Sequence, residues 1–174
     1  TPAKVISITT HKSHNYLTIN KGTRDGIAED MGVVCYSGVV GIVSAVSEKY
    51  ALVVPTIHTE MNLSCRLKKN DYVGRTQWMG KNYQQVALKD ISRHISVERG
   101  DTVITSGLTP IFPEGIMVGI VEETSLNISD NYHQTTLQLS TDYRSIKYVQ
   151  VIKNRASQLI NNDNSPTQWS GLKK

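Results

Sequence analysis

Apolar residues alternate with polar ones in short runs along the chain, and this alternation constrains the fold more than any other feature. Turn-forming residues interrupt the runs at short intervals. A period of two residues is typical of strands that bury one face, and no stretch has a convincing helical period. Many short strands separated by regular turns predict an all-β fold, either a sandwich or a barrel. The alternating sets are Ile6 and Ile8; Leu17 and Ile19; Leu63, Cys65 and Leu67; Leu137 and Leu139; and Val149 and Val151.

One hairpin pattern occurs twice. Residues 32–43 read GVVCYSGVVGIV, and residues 100–121 read GDTVITSGLTPIFPEGIMVGIV. Each copy has a glycine, a short Val-rich strand, a Ser-Gly turn and a strand that ends in Val-Gly-Ile-Val, and a further strand follows each copy. Two copies of one hairpin unit predict two similar small β-barrels in tandem.

The boundary between the two barrels is expected near residue 60. We assign residues 1–60 to the first barrel and 61–152 to the second, and we leave open that the last strand returns to the first barrel. Residues 153–174 are rich in Asn and Ser and poor in apolar residues, a composition typical of a disordered tail. This tail carries +3 of the formal net charge of +4, so residues 1–152 are nearly neutral.

The basic residues do not predict a nucleic-acid partner. Such a partner needs clustered Lys and Arg, and the only short cluster is Arg66, Lys68 and Lys69. We interpret this cluster as the solvated rim of a hairpin. The longest uncharged run, residues 31–47, is too short and too rich in Gly and Ser for a membrane helix, and it fits two strands around a turn.

No hydrolytic site is recognisable from the sequence. A serine hydrolase needs a nucleophile, a base and an orienting acid within hydrogen-bond reach. Ser106 and Ser37 are the candidate nucleophiles, but neither lies in a Gly-x-Ser-x-Gly or Gly-Asp-Ser-Gly setting. The possible bases are His11, His14 and His58.

The spacing of the histidines and cysteines in the sequence predicts neither a metal site nor a disulfide. The spacing of His11 and His14 could serve a metal, but no carboxylate or thiol accompanies them locally, so we interpret them as exposed loop histidines. Cys35 and Cys65 lie in no CxxC or Cys/His spacing, which argues against zinc. Cys65 shares a strand face with Leu63 and is expected to be a buried thiol; whether the two cysteines pair stays open.

Residues 105–121, TSGLTPIFPEGIMVGIV, are mostly apolar although they contain three glycines and two prolines. A phosphate-binding loop would end in Gly-Lys-Ser/Thr and open a helix, and no lysine follows here. Pro110 and Pro113 fix φ and remove two hydrogen-bond donors. We therefore interpret the stretch as a stiff connection between two strands. Its apolar tip, which includes Phe112, is expected to pack one barrel against the other or against a partner.

Several stretches of the chain resemble the MreC family of bacterial rod-shape-determining proteins. The most specific is VERGDTVITSGLTPIFPEGIMVGIVEE, which has the Gly-Asp, the Thr-Ser-Gly and the Phe-Pro-x-Gly-x-x-Val-Gly of the family. The opening VISITTHKSHNYLTINKGTRDGIAEDMGVV also matches, with Met31 and Gly32 in reversed order, as do GVVGIVSAVSEKYALVVPTIH and the final YVQVIK. The matching signature positions, which we interpret as determinants of shape, are Gly41, Gly100, Asp101, Thr105, Ser106, Gly107, Phe112, Pro113, Gly115 and Gly119.

The resemblance implies two small β-barrels arranged as in chymotrypsin-like proteases, with no catalytic machinery, cofactor or metal. It implies the periplasmic or extracytoplasmic domain of a longer, single-pass inner-membrane protein, anchored by a helix that precedes this chain. The implied function is a scaffold of the cell-wall elongation machinery that maintains rod shape. The implied partners are a class B penicillin-binding transpeptidase, MreD, RodA, the actin-like MreB and a second copy of the protein. We expect exposed sheet edges to pair with a partner strand.

Two alternative functions remain. One is a β module that binds peptidoglycan or another carbohydrate. Tyr72, Trp78 and Tyr83 lie near one another in sequence, and Tyr72 and Trp78 share strand parity, although core packing is the preferred interpretation for Trp78. The other is a serine hydrolase with a degenerate site.

Overall fold

The computed structural model of the chain describes residues 1–153, which form twelve strands and one three-residue 3₁₀ helix, Thr23–Asp25. The strands build two closed barrels of six strands each, with antiparallel pairing throughout. The prediction of an all-β fold with two tandem barrels is therefore confirmed. The tail expected at 153–174 lies outside the described residues, apart from Lys153.

The strands divide between the barrels with one crossing. The first barrel contains β1 (Pro2–Ile8), β2 (Leu17–Ile19), β3 (Gly32–Cys35), β4 (Gly38–Val46), β5 (Ala51–Pro55) and β12 (Tyr148–Ile152). The second barrel contains β6 (Ser64–Leu67), β7 (Val73–Gln77), β8 (Gln85–Lys89), β9 (Thr102–Thr105), β10 (Met117–Ser125) and β11 (Gln134–Leu139). The chain leaves the first barrel after β5, builds the second, and returns with β12, which lies between β1 and β3.

Closure of the barrels removes the strand edges. The order around the first barrel is β1-β12-β3-β4-β5-β2, and around the second it is β10-β11-β8-β7-β6-β9. Every described strand therefore has a neighbour on both sides. The expectation that exposed edges pair with a partner strand is wrong for the part of the chain that the structure describes, because closure satisfies the edges internally.

The alternation of the sequence sets which face of each strand is buried. In β8, Val86 and Leu88 are each 1% exposed, while the residues beside them are partly exposed. One predicted inward residue is outside: Ile6 is 52% exposed. The pairing of β1 with β2 shifts register between Val5 and Ser7, so a bulge inverts the facing of the strand there.

The repeated sequence pattern corresponds to a repeated structural unit. The hairpin β3–β4 in the first barrel matches β9–β10 in the second, and a bulge follows the Gly-Ile-Val triplet in both, after Val43 and after Val121. Val121 exchanges backbone hydrogen bonds of 2.8 Å with Gly100 and Asp101, just as Val43 does at 2.9 Å with residues 30–31. The signature Gly-Asp pair is thus where the chain enters the second copy of the hairpin.

Candidate interaction surface

The loop between β9 and β10, residues 106–116, carries five of the ten signature positions and is called the signature loop. Thr105, the last residue of β9, closes this loop. Its Oγ1 donates to the Pro113 carbonyl at 2.6 Å and accepts the Ile116 N–H at 2.9 Å. The Gly115 N–H donates to the Thr105 carbonyl at 3.2 Å. These bonds, together with the fixed φ of proline, hold the loop in one shape.

Ser106 fixes the start of the signature loop to the neighbouring strand β6. It is 8% exposed, its Oγ lies 2.8 Å from the Ser64 Oγ, and it accepts the Leu108 N–H at 3.2 Å. Within residues 1–153, the hydrogen bonds of Ser106 and Ser37 involve no histidine. The degenerate-hydrolase alternative therefore has no supporting geometry in that range.

Gly107 occupies a position that other residues would strain. Its φ is +75°, and a Cβ built there would lie 2.9 Å from the Glu114 Cβ. Left-handed backbone is costly for residues with a side chain, and the facing atom adds a steric cost. The chain reversal after Ser106 therefore depends on glycine at this position.

Two of the three side chains of the basic cluster beside the signature loop are paired with carboxylates. The Arg66 guanidinium bonds both Asp71, in its own hairpin, and Glu114, in the signature loop. The Lys69 ammonium lies 2.8 Å from an Asp101 carboxylate oxygen. These residues form a paired rim that ties the β6–β7 hairpin to the loop, which gives nucleic acid little free positive charge.

Phe112, at the tip of the signature loop, packs against the first barrel. It is 1% exposed. A Cβ built at Gly32, the first residue of β3, would lie 2.6 Å from the Phe112 Cε1 and 2.9 Å from the Ile111 carbonyl oxygen. At this contact between the two barrels, a side chain of one therefore meets bare backbone of the other.

Tyr143, in the connection from β11 to β12, makes a second buried contact with the first barrel. It is fully buried, its hydroxyl lies 2.5 Å from the Val40 carbonyl, and it accepts the Thr56 N–H at 3.2 Å. The Thr56 hydroxyl lies 2.7 Å from the same oxygen. Burial raises the pKa of Tyr143, partly offset by the bonds from Thr56, so the phenol stays neutral and able to donate.

Gly41 and Gly119 stand at equivalent positions in β4 and β10. A Cβ at Gly41 would collide with the Val54 carbonyl of β5, and one at Gly119 would collide with the Gln138 carbonyl of β11. Both glycines permit close strand approach beside the bulges. The structure thus places the signature residues in turns, strand contacts and the barrel–barrel contact.

Two exposed tyrosines line a groove on the first barrel that the sequence analysis did not identify. Tyr36, at the β3–β4 turn, is fully exposed, and Tyr148, at the start of β12, is 71% exposed. Together with Cys35, Ile146 and Lys147 they line a groove of about 310 Å³, called the tyrosine groove below. The exposure of Tyr36 could have been predicted, because a side chain in the Tyr-Ser-Gly turn lies beyond the strand positions that face the barrel interior.

The aromatic platform of the carbohydrate-binding alternative is not formed. Trp78 is 2% exposed and its Nε1 donates to the Asn82 carbonyl at 2.7 Å, so it belongs to the core. Tyr83 is half-buried with the Arg144 guanidinium 4.0 Å from its ring centroid. Tyr72 alone of the three is exposed. The three side chains therefore do not present one surface to a glycan.

The two cysteines lie in different barrels and both are free thiols. Cys35 is half-buried in β3, beside the tyrosine groove. Cys65 is fully buried in β6, and burial raises its pKa to about 12. Cys65 is accordingly an inert part of the core.

The fold is that of a tandem β-barrel domain in which hydrogen bonds hold the signature loop against the second barrel. The model of the family described as "Rod shape-determining protein MreC, barrel core" matches residues 5–153. The chain belongs to this family. Within residues 1–153, no helix has the length and apolarity needed to cross a bilayer.

Two curated relatives carry the name cell shape-determining protein MreC. The one from Listeria monocytogenes is 26% identical over 157 residues, which are 88% of this chain and 53% of the relative. The one from Haemophilus influenzae is 28% identical over 130 residues, which are 75% of this chain and 36% of the relative. The chain thus spans about half or less of the length of these relatives.

Solved structures share the fold. MreC from Pseudomonas aeruginosa has a TM-score of 0.81 at 21% identity, covering 87% of this chain and 97% of that one. A structure described as the major periplasmic domain from the cell shape-determining filament MreC has a TM-score of 0.73 at 23% identity, covering 88% and 95%. A chain from a complex between penicillin-binding protein PBP2 and MreC of Helicobacter pylori has a TM-score of 0.63 at 23% identity, covering 87% and 96%.

Proposed function

We propose that this domain is a non-catalytic scaffold of bacterial cell-wall elongation that binds the extracytoplasmic part of a class B penicillin-binding transpeptidase. The observation that carries the proposal is the solved complex of a related barrel domain with PBP2. The closure of the first barrel supports it, because strands paired on both sides give a preformed surface, and such a surface loses little conformational entropy on binding. Such a scaffold favours whichever conformation of the enzyme it fits, by the difference in affinity between conformations.

The tyrosine groove is the surface that we propose for this contact. Tyrosine combines a large apolar ring with a polar hydroxyl, and it is enriched at protein interfaces. Tyr148 stands on β12, which is paired on both sides, so the strand under it is firmly held. Lys147 and Asp142 at the margin of the groove supply the polar rim that such interfaces have.

A titration with matched surface variants tests the proposal. The purified domain is titrated with the extracytoplasmic part of the transpeptidase from the same organism. Tyr36→Ser and Tyr148→Ser are each expected to weaken binding by about tenfold or more, as for interface anchors. The controls Tyr50→Ser and Tyr132→Ser remove tyrosines that are 50% and 56% exposed elsewhere, and they should bind like the unmodified domain. Wild-type affinity in both groove variants would remove the groove from the proposal.

We also propose that the domain works outside the cytoplasmic membrane as part of a single-pass inner-membrane protein. Support comes from the relative described as a periplasmic domain of a filament, which also favours self-association of this chain. MreD, RodA and MreB are proposed as partners of the whole protein. Sedimentation velocity of the domain over a range of concentrations tests self-association, and a concentration-independent monomer would exclude it for this part of the protein.

A further inference from the structure

His14 and His58 lie side by side, although they come from distant parts of the sequence. The loop after β1 and the segment after β5 meet here through an isolated antiparallel bridge between the two histidines. The N–H and Oγ1 of Thr59 both donate to the Ser13 carbonyl at 3.1 Å. The fully buried Asn15 donates to a backbone carbonyl of the segment after β5 at 2.7 Å. Hydrogen bonds on either side of the histidines therefore hold the two segments together.

Glu60 completes a cluster of three potential metal ligands. The imidazole rings of His14 and His58 are stacked with centroids 4.7 Å apart and planes 7° from parallel. The His14 Nε2 lies 3.6 Å from a Glu60 carboxylate oxygen. One donor atom from each residue lies within 4.8 Å of the other two.

We propose that His14, His58 and Glu60 form a binding site for a divalent transition-metal ion of the zinc class. Two imidazoles and one carboxylate are a donor set that zinc accepts, with a fourth position left for water. Tetrahedral bonds of about 2.1 Å place ligand atoms roughly 3.4 Å apart, so the cluster must contract. The side chains of His14 and Glu60 are 53% and 76% exposed, and they can rotate toward an ion without moving the core.

The tautomer of His58 determines which nitrogen serves the ion. Its Nδ1 accepts the Glu60 N–H at 3.1 Å, so the neutral ring carries its proton on Nε2. Nε2 is buried and has no hydrogen-bond partner among the described residues, so an ion would have to enter the interior to reach it. The lone pair on Nδ1 is therefore the donor that we assign to the ion. The ion would replace the Glu60 N–H there, and that amide would need water as its new partner.

His14 must leave the stacked arrangement when the ion binds. Two parallel rings cannot both direct in-plane lone pairs at one ion, and the exposed ring is the one free to turn. The aromatic ring of Tyr16, whose centroid lies 5.4 Å from that of His58 in an edge arrangement, holds the buried imidazole in place. The bound ion would fasten the loop after β1 to the segment after β5.

Zinc titration of the untagged 174-residue chain tests the site, with calorimetry in a buffer that does not chelate metals. We expect one ion per chain, with His14→Ala and Glu60→Gln each weakening binding by about tenfold or more. His94→Ala removes an exposed histidine elsewhere and is expected to change nothing. Binding should also weaken as the solution is acidified, because a protonated imidazole offers no lone pair to a metal.

Cobalt(II) provides an independent readout, since its visible absorption reports the geometry and number of ligands. Melting curves of the metal-free variants establish that they are folded, as the exposure of both altered side chains predicts. Saturable binding that is lost in His14→Ala and Glu60→Gln supports the site. No saturable uptake by the unmodified chain, or equal uptake by these two variants, would overturn it.

Discussion

Phe112→Ala is expected to lower the free energy of unfolding by about 3–5 kcal/mol, as removal of a fully buried aromatic ring does in protein cores. The ring is 1% exposed and lies at the contact between the two barrels. Its transfer from water contributes about 1.5–3 kcal/mol, and the cavity left in a close-packed interior supplies the rest. If the signature loop were merely a surface connection, the cost would be below about 0.5 kcal/mol, as at ordinary surface positions.

A double-mutant cycle with Gly32 tests whether Phe112 acts through this contact. Gly32→Ala alone places a methyl group 2.6 Å from the Phe112 ring and 2.9 Å from the Ile111 carbonyl oxygen, an overpacking that costs about 1–3 kcal/mol. In the Phe112→Ala background the ring is gone, and only the carbonyl contact remains. The two substitutions together should therefore cost at least about 1 kcal/mol less than the sum of the single costs.

Urea unfolding, followed by circular dichroism and by tryptophan fluorescence, measures the four free energies. Coincident transitions with the two probes establish that one two-state value applies to each variant. Additivity within about 0.5 kcal/mol would show that the two residues act independently. That result would refute the assignment of the loop tip as a point where the barrels are joined.

Three further predictions concern other parts of the structure. Gly107→Val should lower the free energy of unfolding by more than about 2 kcal/mol, because φ is +75° and the Glu114 Cβ faces the new Cβ. Gly115→Ala meets only the strain of φ +98° and should cost about 1–2 kcal/mol. Equal melting temperatures of the two variants would contradict this difference. Tyr143→Phe removes the bonding partner of the buried Thr56 hydroxyl, whereas the Thr56 N–H and the Val40 carbonyl keep their mutual bond of 3.3 Å. The substitution should cost about 1–3 kcal/mol by denaturant unfolding, and an unchanged midpoint would show that the hydroxyl is dispensable. Burial lowers the pKa of His58, so its contribution to stability is fully present above the unfolded pKa of about 6.5 and is lost as the pH falls through the folded pKa. The free energy of unfolding is therefore measured at pH 7 and at pH 5 with a metal chelator present. Its decrease between the two pH values should be smaller in His58→Asn than in the unmodified chain. Equal decreases would contradict a role of His58 in the pH dependence.

The barrels could be predicted because they rest on local patterns. Alternating residues such as Leu137 and Leu139 face inward wherever a strand keeps its register. The repeated Gly-Ile-Val triplet marked two hairpins that end in the same bulge. The interpretation of the signature loop as structural rests on its two prolines and two glycines, because proline fixes φ and glycine permits a chain reversal.

The two wrong predictions about the fold, the facing of Ile6 and the exposed sheet edges, concern features that depend on strand pairing. Ile6 follows the alternation of β1, but the bulge that turns it outward is a property of β1 and β2 together. Closure of the barrels likewise depends on β12 meeting β1 and β3 across the whole length of the chain. The sequence shows that strands exist but not that their edges are covered.

The histidine cluster and the tyrosine groove could not be predicted from the sequence, because each is formed by residues that are distant along the chain. His14 was interpreted as a loop histidine without partners because the residues it meets, His58 and Glu60, belong to a segment more than forty positions away. Tyr36 and Tyr148 are brought to one groove by the return of the last strand. Trp78 has the strand parity of Tyr72, but it lies in the core and Tyr72 does not.

We propose this domain as a preformed partner of a penicillin-binding transpeptidase. The most direct test is a calorimetric titration of the domain with the extracytoplasmic part of that enzyme from the same organism. Saturable binding with one site per chain, abolished when the domain is denatured, is the predicted result. The absence of heat and of co-elution at high concentrations of both proteins would contradict the claim for the isolated domain.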